Sequence, residues 1–242
     1  TNISTNNFKW SSTFNITTVD NKIVKLNKNE DIFSSRYIRR EGEAYNTFWL
    51  PLWAGVNPAN GAPQWYIVDA DGNKTGEVTG DIGEADKAIA GKADPDFFGS
   101  FGNNLSYKGF NLSFLFNFAV GGLLYLDTGY KSWNDGNKVK YAIPVTLLDR
   151  WQKPGDIAYH PQRIWGGNND SDVRSSRFVL ENNFLRLKDI SLSYSLPESL
   201  LQRAKIKNVT VYIQATNYLT WCTQDIVDPE QRANGMTNFE MP

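Results

Sequence analysis

Hydrophobic and polar residues alternate with period two in several stretches of this chain. From Phe8 to Ile16, Phe8, Trp10, Phe14 and Ile16 share one face, and Lys9, Ser11, Thr13 and Asn15 share the other. From Phe110 to Phe118 the apolar row is Phe110, Leu112, Phe114, Phe116 and Phe118, opposite Asn111, Ser113, Leu115, Asn117 and Ala119. Residues 101–107 set Phe101, Leu105 and Tyr107 against Gly102, Asn104 and Ser106. Residues 209–221 set Val209, Val211, Ile213, Ala215, Leu219 and Trp221 against Thr210, Gln214, Thr216 and Thr220. One stretch changes phase. Leu185 and Leu187 are apolar at odd positions, whereas Ile190, Leu192, Tyr194 and Leu196 are apolar at even ones. Either a bulge near Lys188-Asp189 or a strand that begins at Asp189 produces that flip.

Two settings suit such strands. A soluble sandwich buries a branched-aliphatic row over about 5–6 residues. A transmembrane barrel turns its apolar row to lipid over about 9–11 residues, with aromatics at both interfaces. Row length, abundant Phe, and Trp10, Tyr107, Tyr194 and Trp221 near the ends favour the barrel; the uncharged opposite rows suit either setting.

The connections strengthen that reading. Asp20-Asn21 predicts a tight hairpin from Phe8–Thr18 into residues 22–26, and Lys108-Gly109 predicts another into the phenylalanine strand. Residues 197–208, with a helical turn around Glu198 to Ala204, link the last two strands. Long connections over residues 27–97, 121–183 and from Cys222 onward separate these hairpins. Short turns alternating with long loops are the asymmetry of an outer-membrane barrel, and loops this long are unusual in a compact soluble domain. The expected fold is therefore all-β, an antiparallel transmembrane β-barrel segment of about six membrane strands with long extracellular loops.

Composition narrows the chemistry. Lys+Arg 25 against Asp+Glu 26 leaves a net charge of -1, with no basic field for nucleic acid. The single Cys222 supports no internal disulfide, and the single His160 argues against a histidine metal site or a serine triad. No run of about 18 apolar residues predicts a membrane helix. Asp69-Ala70-Asp71-Gly72-Asn73 carries its glycine at the fourth place rather than the sixth of a calcium loop, and reads as an Asp-Gly turn. Asn-x-Ser/Thr triplets at Asn15, Asn104, Asn111 and Asn208 fall in or beside alternating strands and are not read as glycan acceptors.

Specific strings resemble the SusC/RagA group of TonB-linked outer-membrane receptors. They include Asp94-Pro95-Asp96-Phe97-Phe98-Gly99-Ser100-Phe101-Gly102-Asn103 with Leu105-Ser106-Tyr107-Lys108-Gly109-Phe110, and the run from Asn183-Phe184-Leu185-Arg186-Leu187-Lys188 to Tyr194-Ser195-Leu196-Pro197. Ala54-Gly55-Val56-Asn57-Pro58, Arg150-Trp151 with Pro154-Gly155-Asp156, and Asp228-Pro229-Glu230 follow the family's order. The resemblance covers most of the chain. It implies the C-terminal part of a wide barrel in the outer membrane of a Gram-negative bacterium, importing oligosaccharides or peptides. It further implies a SusD-like surface lipoprotein, coupling to TonB, and the remaining barrel and plug as partners, with the lipid bilayer around the wall. The plug and one last strand of the family pattern are not among these residues; the chain stops at Phe239-Glu240-Met241-Pro242. The resemblance implies no enzymatic activity and no cofactor.

Six tryptophans lie in the long connections: Trp49, Trp53, Trp65, Trp133, Trp151 and Trp165. Trp49, Trp53, Trp65 and Trp151 fall in strings that resemble family scaffold. Trp133, Asn134 and Asp135, together with Trp165, Asn168, Asn169 and Asp170, combine aromatic faces with amides and carboxylates and are the candidate substrate contacts. Packing between loops is the competing role for them. A soluble extracellular carbohydrate-binding β-domain and a secreted β-rich glycosidase are the alternative readings of the chain.

Overall fold

A computed structural model describes residues 1–127, 129–202, 205–230 and 236–237. They divide into two compact units. The first, Thr1–Val19, Pro95–Gly121 and Asn182–Thr223, holds the alternating strands. The second, Asp20–Asp94, Gly122–Glu181 and Gln224–Pro242, holds the long connections. We call them the wall and the loop unit.

The wall is one open antiparallel sheet. Its long strands are β1 (Phe8–Thr18), β2 (Phe97–Tyr107), β3 (Phe110–Val120), β4 (Phe184–Ser195) and β5 (Thr210–Cys222), paired in that order, with the two-residue strand Ile3–Ser4 beyond β1. At 11 to 13 residues each long strand matches a membrane crossing. Register stacks like on like: Phe14, Phe101 and Phe116 align across three strands, as do Trp10, Leu105, Leu112, Leu192 and Ile213 across five. The polar row is equally continuous, running Asn15, Ser100, Asn117, Arg186, Thr220. Asn103 lies in the apolar row, and its Oδ1 accepts from Trp10 Nε1 at 2.8 Å and Ser12 Oγ at 2.6 Å, so that amide oxygen is satisfied within the sheet.

The β2–β3 hairpin forms as expected. Lys108 (φ 45°) and Gly109 (φ 88°) both occupy the left-handed region that a two-residue primed turn requires. The phase change in β4 is a bulge inside one continuous strand. Leu115 pairs with Asp189 and Phe116 with Leu187, so the register shifts by one residue across Lys188. On the other side Leu187 pairs with Leu219 and Asp189 with Thr216, with Asn217 at φ 52°. One extra residue returns the apolar side chains to their row.

The Asp20-Asn21 hairpin does not form. Residues 19–26 contain no strand, and Ile23 instead exchanges backbone hydrogen bonds with Gly42 and Glu43. The partner of β1 is β2, with Thr18 opposite Phe97, so a whole folded insertion separates two adjacent strands. The helical turn after Pro197 is present as Glu198–Leu201; Ala204 lies outside the described residues.

The loop unit has a core of its own. A four-stranded sheet (Ile32–Ser34, Tyr37–Arg39, Thr47–Pro51, Lys87–Lys92) and a hairpin sheet (Trp53–Val56, Pro63–Val68, Lys74–Thr79) come from the first connection. Leu123–Leu126 of the second connection pairs antiparallel with Val179–Glu181 and parallel with Met236–Thr237. Phe48 and Leu50, Leu124 to Leu126, Trp133, Phe178 and Val227 form one buried cluster drawn from all three connections.

Candidate functional site

The stretches 133–135 and 165–170, which the sequence singles out separately, are brought together in the loop unit by backbone hydrogen bonds at residues 164 and 166. Ile164 N–H donates to Asp135 O at 2.8 Å, and Gly166 N–H to Gly136 O at 3.2 Å. Gly136 holds φ 111°, and a Cβ there would lie only 1.8 Å from Ile164 O, so the two chains cross where glycine alone fits.

Their side chains divide sharply. Trp133, Asn134 and Asp135 are 1%, 1% and 3% exposed, and Asn168 is 4% exposed. No solute reaches them there. Trp133 packs edge-on to Tyr159 and His160 and against Phe178. Asn168 Nδ2 donates to Gly61 O and Gln162 O. These four residues hold the loops together, which is the packing role set against substrate contact above. Trp165 is 85% exposed, and Asn169 and Asp170 are exposed beside it in left-handed backbone (φ 43° and 54°). Of the seven predicted contacts, these three are accessible to a ligand.

Beneath them lies a polar centre that residue types alone do not announce. Arg177, fully buried, donates from Nη1 to Asp135 Oδ2 at 2.6 Å and to Ser171 O at 2.8 Å, while its Nη2 lies 3.0 Å from His160 Nδ1. Ser171 Oγ donates to the same Asp135 oxygen at 2.5 Å. Arg177 has no acceptor capacity, so His160 Nδ1 accepts and its proton sits on Nε2. Burial, then the charges of Arg177 and Arg150, push the His160 imidazole down to about 3, keeping it neutral. Burial likewise raises the Tyr159 phenol. A neutral histidine, a paired aspartate and a buried arginine with no solvent path make a tie between residues 135, 160, 171 and 177 rather than a reactive centre. Among the described residues no group of three or more His, Cys, Asp or Glu side chains is placed to hold a metal.

Three of the four tryptophans in the scaffold strings pack within the loop unit. Trp65 is buried against Trp53 with ring centroids 5.6 Å apart. Trp151 Nε1 donates to Pro58 O at 2.9 Å, and its ring covers Gly61, where a Cβ would clash at 2.5 Å. Trp49 differs. It stands half-buried at the side of an open cleft with Arg40, Asp69, Asp86 and Lys87, a site that local sequence does not mark because its residues come from five separate stretches.

No protein-family model matches the chain. Curated relatives do match. The chain is 31% identical to the TonB-dependent receptor P3 of Formosa agariphila over 95% of its own length and 24% of the relative's. It is 25% identical to the TonB-dependent receptor SusC of Bacteroides thetaiotaomicron over 96% and 23%. Among solved structures, that of the RagAB peptide transporter superposes with a TM-score of 0.78 at 25% identity, covering 97% of this chain and 26% of that one. The 'open-open' state of the RagAB peptide importer gives 0.74 at 23% identity and bears on the fold alone. The chain spans about a quarter of the length of the curated relatives it matches.

Proposed function

We propose, from the premise that this chain is SusC/RagA-type TonB-linked receptor sequence, that it supplies C-terminal wall strands and extracellular loops of an outer-membrane importer in a Gram-negative bacterium. One observation carries the reading: a predominantly apolar row backs a predominantly polar row across five strands of spanning length. In water that apolar face would be an aggregation surface; in a bilayer it is the face that lipid needs. The soluble-domain alternative leaves Phe14, Ile213 and Trp221, all exposed, without a covering.

The polar row faces the import path, and the loop unit meets the cargo outside. We assign cargo contact to Trp165, Asn169 and Asp170, and a stabilising role to Trp133, Asn134, Asp135 and Asn168. The cargo class is an oligosaccharide or a peptide. The rest of the barrel, its plug, a SusD-like surface lipoprotein and TonB complete the machine. The chain itself performs no bond chemistry.

Fractionation and uptake test this. The full-length receptor should partition with the outer membrane, leave it only in detergent, and support uptake of its cargo that stops in a strain lacking TonB. Recovery of the full-length protein as a soluble periplasmic or secreted species would contradict the reading.

A further inference from the structure

The end of the wall that carries the short turns is basic. Residues 5–9, 106–111 and 193–210 meet there, since Tyr107 pairs with Phe8, Phe110 with Tyr194 and Ser195 with Thr210. Their described charges are Lys9, Lys108, Lys205 and Lys207 against Glu198, although the whole chain carries Lys+Arg 25 against Asp+Glu 26. Lys9 belongs to the polar row. Lys108, Lys205 and Lys207 stand exposed on the connections beyond the strands and form no ion pair among the described residues.

The connection from β4 to β5 is folded so as to present them. Leu196 N–H donates to Val209 O at 3.0 Å, and Ile206 N–H to Leu201 O at 3.3 Å, so residues 197–208 turn back on themselves. Leu201 is buried, whereas Leu200 and Ile206 are 63% and 47% exposed. Glu198, Gln202, Lys205, Ile206 and Lys207 line a cleft of about 490 Å³. The β2–β3 turn lies alongside, for Ser195 N–H donates to Gly109 O at 2.9 Å, and a Cβ on Gly109 would come within 3.3 Å of the Tyr194 ring.

At this same end the apolar row finishes in aromatics. Phe110 stacks on Tyr194 with ring centroids 4.3 Å apart, Tyr107 and Phe110 are half exposed, and Lys108 Nζ stands 5.3 Å from the Tyr107 ring centre. Aromatic side chains that close a lipid-facing row mark the depth of the headgroups. Unpaired cations just beyond that belt, mixed with exposed aliphatic side chains, suit a surface that offers anions and hydrocarbon together. A free anion would use the lysines and leave Leu200 and Ile206 in water. We infer that residues 197–208, with Lys108, form a binding surface for anionic phospholipid in the leaflet on the turn side. Headgroup phosphates meet Lys108, Lys205 and Lys207, while Leu200 and Ile206 rest on the acyl chains. The assignment rests on the reading of the wall as lipid-facing.

Local quenching tests it. A bimane on Ser199→Cys, in an otherwise cysteine-free full-length receptor, is followed in phosphatidylcholine vesicles in which about a tenth of the lipid is brominated phosphatidylglycerol or brominated phosphatidylcholine. Phosphatidylglycerol should quench about threefold more strongly, and raising NaCl from about 0.1 to 0.5 M should shrink that preference. Replacing all three lysines by glutamine should bring the two lipids to within about 1.5-fold of each other, and replacing them by arginine should keep the preference. Equal quenching in the parent receptor, quenching by neither lipid, or a preference that survives the glutamine replacements overturns the assignment. Quenching by neither would give the surface to a partner outside the bilayer, and abolition of the preference by inorganic phosphate would make it a free-anion site. Outer-membrane location and TonB-dependent uptake are measured in the parent cells. If they persist while the lipid preference fails, the lipid assignment alone falls.

Discussion

The wall and the loop unit use the same residue types in opposite ways. Of the buried apolar side chains among the described residues, only Ala119, Leu187 and Leu201 belong to the wall; the others, Phe48, Trp65, Tyr125 and Phe178 among them, belong to the loop unit. The wall turns Phe14, Phe101, Ile213 and Trp221 outward. The loop unit buries Trp133 and Phe178 beside the Arg177–Asp135 ion pair. A sheet that leaves its large apolar residues exposed depends on a non-aqueous surrounding, whereas a cluster that buries Arg177 on Asp135 depends on its own closure. Substitutions should therefore act through different media in the two units.

The largest expected effect breaks that closure. Asp135→Ala leaves Arg177 buried without its partner, which costs about 3–5 kcal/mol. Trp133→Ala, which empties a large core site, costs a similar amount. Either should open residues 122–181 of the full-length receptor to trypsin while its wall strands stay protected in the membrane. Next is a paired test on one strand. Phe114→Lys, in the apolar row, should cost about 2–4 kcal/mol of barrel stability, and Ser113→Lys, its neighbour in the polar row, about 1 kcal/mol or less, read from denaturant unfolding in lipid vesicles. Equal costs would erase the distinction between the two faces.

Acid should loosen the loop unit specifically. His160 is held near 3 when folded and returns to its ordinary value near 6.5 when the unit opens. The open form therefore binds the proton more readily. Stability is full above about pH 6.5 and is lost as pH falls from there toward 3, reaching on the order of 2 kcal/mol by pH 4.5. Protease sensitivity of residues 122–181 at pH 7 and pH 4.5 measures it. His160→Gln should lower stability at pH 7 and flatten that dependence. The smallest effect belongs to Trp165. Trp165→Ala should move stability by no more than about 0.5 kcal/mol while weakening cargo binding, since the ring is almost wholly exposed.

The wall was largely legible in the sequence because period two is a local signal. Phe110 to Phe118 announces its two faces within nine residues, and the slip at Lys188 was visible as a bulge or a strand start before the pairing showed the bulge. Pairing itself was less legible. The Asp20-Asn21 turn looks like a hairpin, but the partner of Thr18 is Phe97, and nothing local to Thr18 encodes a strand across a folded insertion. The loop unit was legible only in part. Scaffold strings flagged Trp65 and Trp151, whereas Trp133 and Asp135 read as surface contacts because their partners, Phe178 and Arg177, lie more than forty residues on. Aromatic and carboxylate neighbours look alike in sequence whether they face a ligand or a buried guanidinium.

The central claim is that one face of the wall meets lipid and the other meets water. Single nitroxide labels at residues 111 to 118, in the full-length receptor with Cys222→Ser, report it in native membranes. Collision with oxygen should peak at 112, 114, 116 and 118, and collision with an aqueous nickel chelate at 111, 113 and 117. Nickel access on the phenylalanine row, or no alternation along the strand, would contradict the account.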